Sequence, residues 1–167
     1  MQRRSFLQLG VGSALLLALV GGALHGMAPG LQDGALSPRA RLLLTRVADA
    51  VIADAWPSNP PSNAQHEALL QRIDAQIAAM PEAVQAELSQ LLGLMDTPAG
   101  RRALVGIGTR WEDTSTPALT EALQSMRLSR ISLRQQAYQG LHDLVYAAYF
   151  SGSESWAVLG YPGPVSL

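Results

Sequence analysis

Three times in this chain a small hydroxyl residue is followed at once by proline and then by apolar residues at helical spacing: Ser37-Pro38, Thr97-Pro98 and Thr116-Pro117. The hydroxyl accepts a hydrogen bond from the first helical turn. Proline, with its fixed φ and no N–H to lose, fits the first helical position. The stretches between are rich in Ala and Leu and poor in β-branched residues. No stretch alternates with the period of two that a half-buried strand needs. The pattern predicts an all-α fold, a compact irregular bundle of about five or six helices, with a Pro/Gly-rich C-terminal tail.

The first helix is expected over 37–55, with Leu43, Leu44, Val47, Ala50 and Val51 facing inward. Trp56-Pro57-Ser58-Asn59-Pro60-Pro61 then stops it, because the prolines cannot continue a helical hydrogen-bond ladder. A second helix over about 63–80 carries Leu69, Leu70, Ile73, Ile77 and Met80. A third opens at Pro81 and carries Val84, Leu88, Leu91, Leu92 and Met95. A fourth is expected through Leu104, Ile107 and Trp111, weakened by Gly100, Gly106 and Gly108. A fifth shows Leu119, Ala122, Leu123 and Met126. The sixth, about 129–150, has the widest apolar stripe: Leu133, Ala137, Tyr138, Leu141, Leu144, Val145, Ala148 and Tyr149. That width predicts a central helix touching several others.

Ahead of this body, 1–28 has the layout of a signal or membrane anchor. Arg3 and Arg4 precede an uncharged stretch over 9–24, and Arg3-Arg4-Ser5-Phe6-Leu7 looks like a twin-arginine export signal. The uncharged stretch is 16 residues, short of the roughly 20 a spanning helix needs. Two fates follow, cleavage or retention as an anchor near 22–30. Gly26-Met27-Ala28 has the small-x-small form of a cleavage site, although Pro29 comes directly after it. The segment 29–36 reads as a Gly/Pro-containing linker, and 37–167 as the helical domain. The part after the leader has ten arginines, no lysine and thirteen acids, which argues against a nucleic-acid surface.

The sequence offers little chemistry. Cys is 0, which excludes disulfides, Cys-ligated zinc, iron–sulfur clusters and thioether-bound haem. His25, His66 and His142 form no HxxxH or HExxH pair, so no metal site is read. His66 is expected on the surface. His142 sits beside the core stripe, with Asp143 on another face. Gly152-Ser153-Glu154-Ser155-Trp156 is not a nucleophile elbow, and neither Gly10-Val11-Gly12 nor Gly106-Ile107-Gly108 has a dinucleotide-loop context. Glu67, Asp74, Glu82, Glu87 and Glu121 read as solvated helix surface. No catalytic, cofactor-binding or metal residue is assigned. Trp111 reads as a core plug at a helix end. Trp56 and Trp156, beside Pro/Gly segments, read as partner contacts, as do Gly160, Tyr161, Pro162, Gly163 and Pro164.

Trp56-Pro57, Ile73-Asp74, Arg110-Trp111, Tyr146-Ala147-Ala148-Tyr149-Phe150 and a tail with Trp156 four residues before Gly160-Tyr161-Pro162-Gly163-Pro164 occur together here. This set resembles the gluconate 2-dehydrogenase subunit 3 family over roughly 37–164, with the tail as its most specific part. The chain departs from the family pattern at Tyr149-Phe150, where paired tyrosines are common, and at Trp111, where phenylalanine is frequent. The resemblance implies a non-catalytic small subunit of a periplasmic dehydrogenase complex, attached to the inner membrane through an uncleaved leader or through its partners. It implies FAD in a large subunit of the glucose–methanol–choline type, which oxidises a sugar, sugar acid or alcohol. Haem in a cytochrome c partner, or a quinone, receives the electrons. The small subunit assists folding and twin-arginine co-export of the large one. Two rivals stand beside this reading: a stand-alone periplasmic helical binding or structural protein, and a stand-alone enzyme whose carboxylates meet in space.

Overall fold

The computed structural model describes residues 27–156, 160 and 161. Within them lie a two-stranded hairpin, β1 (Leu31–Gln32) and β2 (Ala35–Leu36), and six helices. These are α1 (Pro38–Ile52), α2 (Asn63–Ala78), α3 (Glu82–Asp96), the single turn α4 (Pro98–Gly100), α5 (Thr116–Arg127) and α6 (Ser132–Phe150). The protein is the all-α bundle that the patterning predicts.

The helix starts follow the capping chemistry. The Ser37 hydroxyl accepts from the Ala40 N–H at 3.3 Å, with Pro38 in the first turn. The Thr97 hydroxyl accepts from Gly100 N–H at 3.0 Å. In α5 the cap falls one residue earlier than expected: Ser115 accepts from Ala118, and Pro117 sits in the first turn. At α2 a reciprocal box forms, in which Gln65 N–H donates to Ser62 Oγ and Ser62 N–H donates to Gln65 Oε1. Each such cap is worth about 1 kcal/mol.

The inner faces meet in one buried cluster. Leu43, Leu44 and Val47 of α1 face Leu69, Ile73 and Ile77 of α2, Leu92 and Met95 of α3, Leu119 and Met126 of α5, and Leu141 and Val145 of α6. Helix α6 is central, packing against α1, α2 and α5, as its wide stripe requires. On α3 the stripe is narrower than predicted: Leu92 and Met95 are buried, whereas Val84, Leu88 and Leu91 are only partly covered.

Three segments depart from expectation. The linker at 29–36 folds as a hairpin, pairing Leu31 with Leu36 and Gln32 with Ala35. Its loop is Asp33-Gly34, both at positive φ (51° and 78°), the two-residue turn whose twist matches that of the flanking strands. The fourth helix does not reach Trp111. After Gly100 the chain makes one π turn (Arg101–Val105) and stops at Gly106, left-handed at φ 92°, whose N–H bonds back to the Arg101 carbonyl. Glycine at that position ends a helix without steric penalty, and this outweighs the apolar spacing beyond it. Finally, α1 ends at Ile52. Ala53, at φ 46° and ψ −117°, turns the chain through backbone space that L-residues rarely adopt.

Arginines fasten these irregular segments. The Arg46 guanidinium donates to the Thr114 carbonyl. Arg72 donates to Ala148 at 2.7 Å, Arg101 to Asp96 at 3.0 Å and Arg134 to Leu104 at 2.8 Å. Arg41 bridges Glu67 (2.7 Å) and Asp74 (2.6 Å) of α2, and Asp74 also accepts from the Leu36 N–H of the hairpin at 2.8 Å. Asp74, read as solvated, is therefore a partly buried cross-link between elements, while Glu67 is solvent-exposed as read and pairs with Arg41 from the surface.

Candidate partner-facing site

The turn at Ala53 carries Trp56 inward. Trp56 is only 7% exposed, edge-on to His66 (ring centroids 5.3 Å apart) and to Tyr149 (5.4 Å). Read as a partner contact, Trp56 instead contributes its ring to the core, where three prolines nearby hold the loop that delivers it. His66, expected on the surface, is only partly exposed. Its side chain is 17% exposed, with Nε2 2.7 Å from Asp49 Oδ1. The other Asp49 oxygen accepts from Arg46 at 3.2 Å. The Tyr149 hydroxyl donates to the Ala55 carbonyl. An Asp–His pair of this kind could orient a general base. Among the described residues, however, no hydroxyl hydrogen-bonds to the His66 ring. Its ring neighbour is the Trp56 indole, whose Nε1 is buried without a partner. The arrangement joins α1, α2 and the loop between them.

The second feature lies on the outer flank of α6. Tyr138, His142, Tyr146 and Phe150 recur every four residues and stack along the helix. Centroids are 5.5 Å apart for Tyr138 and His142, 4.2 Å for His142 and Tyr146, and 5.3 Å for Tyr146 and Phe150. All four rings are partly exposed. With Val51 of α1 and Leu123 and Gln124 of α5, the first three line a shallow cleft of about 180 Å³. That is smaller than the roughly 300 Å³ at which small-molecule sites begin. His142 Nδ1 lies 3.1 Å from Asp143 Oδ1, so these neighbours touch despite starting on different faces. The four-residue spacing of the rings is plain in the sequence, but there it merges with the adjacent core stripe.

Burial raises the Tyr138 phenol above its usual range, opposed by nearby Arg127 and reinforced by Tyr146 and Asp143. A group whose folded pKa is raised holds its proton longer in the folded chain. Its contribution is complete below the unfolded value and is lost as pH rises through the folded one. Stability should therefore fall above about pH 10, and Tyr138→Phe should flatten that decline. Urea midpoints between pH 8 and 11 measure this. Parallel curves for the two proteins would show that Tyr138 does not titrate differently on folding.

The third feature is the start of the tail. Ser155 is fully buried, its hydroxyl donating to the Gly152 carbonyl at 2.7 Å. Trp156 follows, partly exposed, with its ring 5.4 Å from Tyr161 and at 72° to it. The Tyr161 N–H donates to the Trp156 carbonyl at 2.9 Å, and Gly160 takes φ 67° to allow the reversal. Tyr161 remains 49% exposed. Of the sequence-predicted contacts, the structure thus brings Trp156, Gly160 and Tyr161 together and places Trp56 elsewhere. Pro162, Gly163 and Pro164, and the signal residues Arg3, Arg4, Phe6 and Leu7, lie outside the described residues.

Among the described residues no group of three or more His, Asp or Glu side chains is arranged to hold a metal ion. No family model, curated protein or solved structure matches the chain.

Proposed function

We propose that this chain is the non-catalytic small (gamma) subunit of a periplasmic flavoprotein dehydrogenase complex, of the gluconate 2-dehydrogenase subunit 3 kind. Its partner is an FAD-containing large subunit of the glucose–methanol–choline type that oxidises a sugar, sugar acid or alcohol. A cytochrome c partner, with its haem, passes the electrons on. The chain assists folding, twin-arginine co-export and stability of the large subunit. It stays in the periplasm, held at the inner membrane by its leader or by the complex. Among the described residues no helix is long and apolar enough to cross a membrane, so on this reading attachment falls to the leader or the partners.

The observation that carries the reading is the Trp156–Tyr161 unit. Its two rings are in contact and the Tyr161 N–H is bonded to the Trp156 carbonyl, yet Tyr161 is half exposed. A rigid aromatic pair at the surface is the composition of an interface anchor, combining large apolar area with little rotamer freedom to lose. It lies in the tail that carries the family resemblance. The double substitution Trp156→Ala/Tyr161→Ala tests it. Helicity by circular dichroism should be unchanged, while recovery of a flavin-bearing large chain with the tagged subunit should fall by at least about 30-fold, the scale of a hot-spot loss. Undiminished flavin recovery would remove the tail from the interface. If the unsubstituted subunit brings down no flavin from its native host, the stand-alone binding or structural reading takes over.

A further inference from the structure

The small-x-small motif Gly26-Met27-Ala28 at the end of the leader would direct cleavage to the Ala28–Pro29 bond. A peptidase acting there must bring its nucleophile to the Ala28 carbonyl carbon and hydrogen-bond donors to the carbonyl oxygen. That oxygen faces α3. A Cβ built on Gly93 would lie 2.6 Å from it, so only glycine lets the two backbones approach so closely. The following residues are pinned as well. A Cβ on Gly30 would meet Leu92 Cβ at 2.5 Å and the Ser89 carbonyl at 2.7 Å. Gly30 N–H donates to the Ser89 carbonyl at 3.1 Å, and the Gly30 carbonyl accepts from Ser37 N–H at 2.9 Å. Leu31 N–H donates to Ser89 Oγ at 3.0 Å. The side chains of Ala28 and Pro29 are exposed, but the carbonyl to be attacked and the strand beyond it are packed against a helix.

We propose that the Ala28–Pro29 bond is closed to processing once the body has folded, so that the exported chain keeps Ala28 and any cut falls on its N-terminal side. This rests on the folded-state export proposed above, because only a body folded before passage presents the docked bond to the peptidase. The hairpin is thus the N-terminal seam of the body, with α3 as its guard.

Proline after a cut hinders cleavage by itself, so the test begins with Pro29→Ala, which removes that obstacle and leaves only the fold. N-terminal sequencing and intact mass of the exported variant should show no chain beginning at position 29. A main product that starts at that substituted position would overturn the claim that the exported chain keeps Ala28, and the second arm below tells whether the closed bond or folded-state export has failed. Adding Gly93→Val to Pro29→Ala should push the segment off α3, seen as faster amide exchange at Gly30 and Leu31. The cut after Ala28 should then appear. If Gly93→Val spoils the body, Gly30→Val displaces the same segment from the other side. Undocking without the cut would also overturn the proposal, since the fold would not then be the guard. A second arm treats purified, folded Pro29→Ala with signal peptidase in detergent. Resistance there alongside cleavage in cells would leave the closed bond standing and remove folded-state export. Cleavage after Ala28 in that folded protein removes the closed bond itself.

Discussion

Replacing Trp111 with alanine is expected to remove about 3–5 kcal/mol of stability, the range for deleting a large aromatic side chain from a packed core. Trp111 is 1% exposed and among the largest fully buried side chains. It does not belong to a helix. It hangs in the loop between the π turn and α5, and its indole Nε1 donates to the Met95 carbonyl at 3.2 Å, near the end of α3. The substitution therefore removes the ring, leaves that carbonyl without the donor and frees the loop that Arg46 and the Thr109–Thr114 hydroxyl pair also hold. Domains of this size are stable by only about 5–15 kcal/mol, so the loss is a large share of the whole. Urea unfolding followed by circular dichroism measures it, and the melting midpoint should drop by about 10–20 °C. Trp111→Phe separates packing from the hydrogen bond: it keeps most of the ring volume and should cost about 1–3 kcal/mol, the penalty for one unsatisfied buried acceptor. Alanine within about 1 kcal/mol of the parent protein would mean that the loop is not anchored there.

The helices were legible because local and global signals agree in them. Ser37-Pro38 caps α1, and Leu43, Leu44, Val47 and Ala50, which repeat there at helical spacing, are buried in the core. The hairpin was less legible because a linker and a short strand pair share the same Gly-containing composition. Asp33-Gly34 between Leu31 and Ala35 is a hairpin signal, but strands of two residues show no alternation to confirm it. The fourth helix was over-extended because Ile107 and Trp111 are apolar at suitable spacing, while the decisive signal was one glycine adopting φ 92°. The inward packing of Trp56 and the partial covering of His66 are not legible for a different reason. Their packing depends on Asp49 and Tyr149, which lie 17 and 94 residues from the groups they bond, and no window of sequence shows such pairings. The contact between the Trp156 and Tyr161 rings is not legible either, because it rests on the left-handed Gly160 and the Tyr161 N–H bond to the Trp156 carbonyl.

The absence of lysine gains a structural meaning from the arginine contacts. Arg46, Arg72, Arg101 and Arg134 each place a guanidinium on a carbonyl of another segment, and Arg41 serves two carboxylates at once. A planar fork with several donors can do this while its aliphatic stem stays packed, whereas an ammonium is a strongly hydrated point charge. The irregular segments, which lack ladder hydrogen bonds of their own, are held from neighbouring helices. A body closed in this way suits the proposed passage in folded form.

Changing Arg3→Lys together with Arg4→Lys should abolish export of this chain and, with it, export of the proposed large partner. The substitution keeps both positive charges and the apolar stretch that follows, so any route that reads only charge and hydropathy should be unaffected. A receptor that reads the guanidinium pair should fail, since lysine cannot reproduce its planar, multi-donor geometry. The measurement is the distribution of both chains between cytoplasm and periplasm, with flavin absorbance reporting whether the large chain is loaded. The expected result is both chains in the cytoplasm, still associated, with periplasmic dehydrogenase activity at background. Normal export of this chain would show that Arg3-Arg4-Ser5-Phe6-Leu7 is not read as a twin-arginine signal. Retention of this chain with normal export of the large one would refute co-export, and would leave the small subunit a role in stability alone.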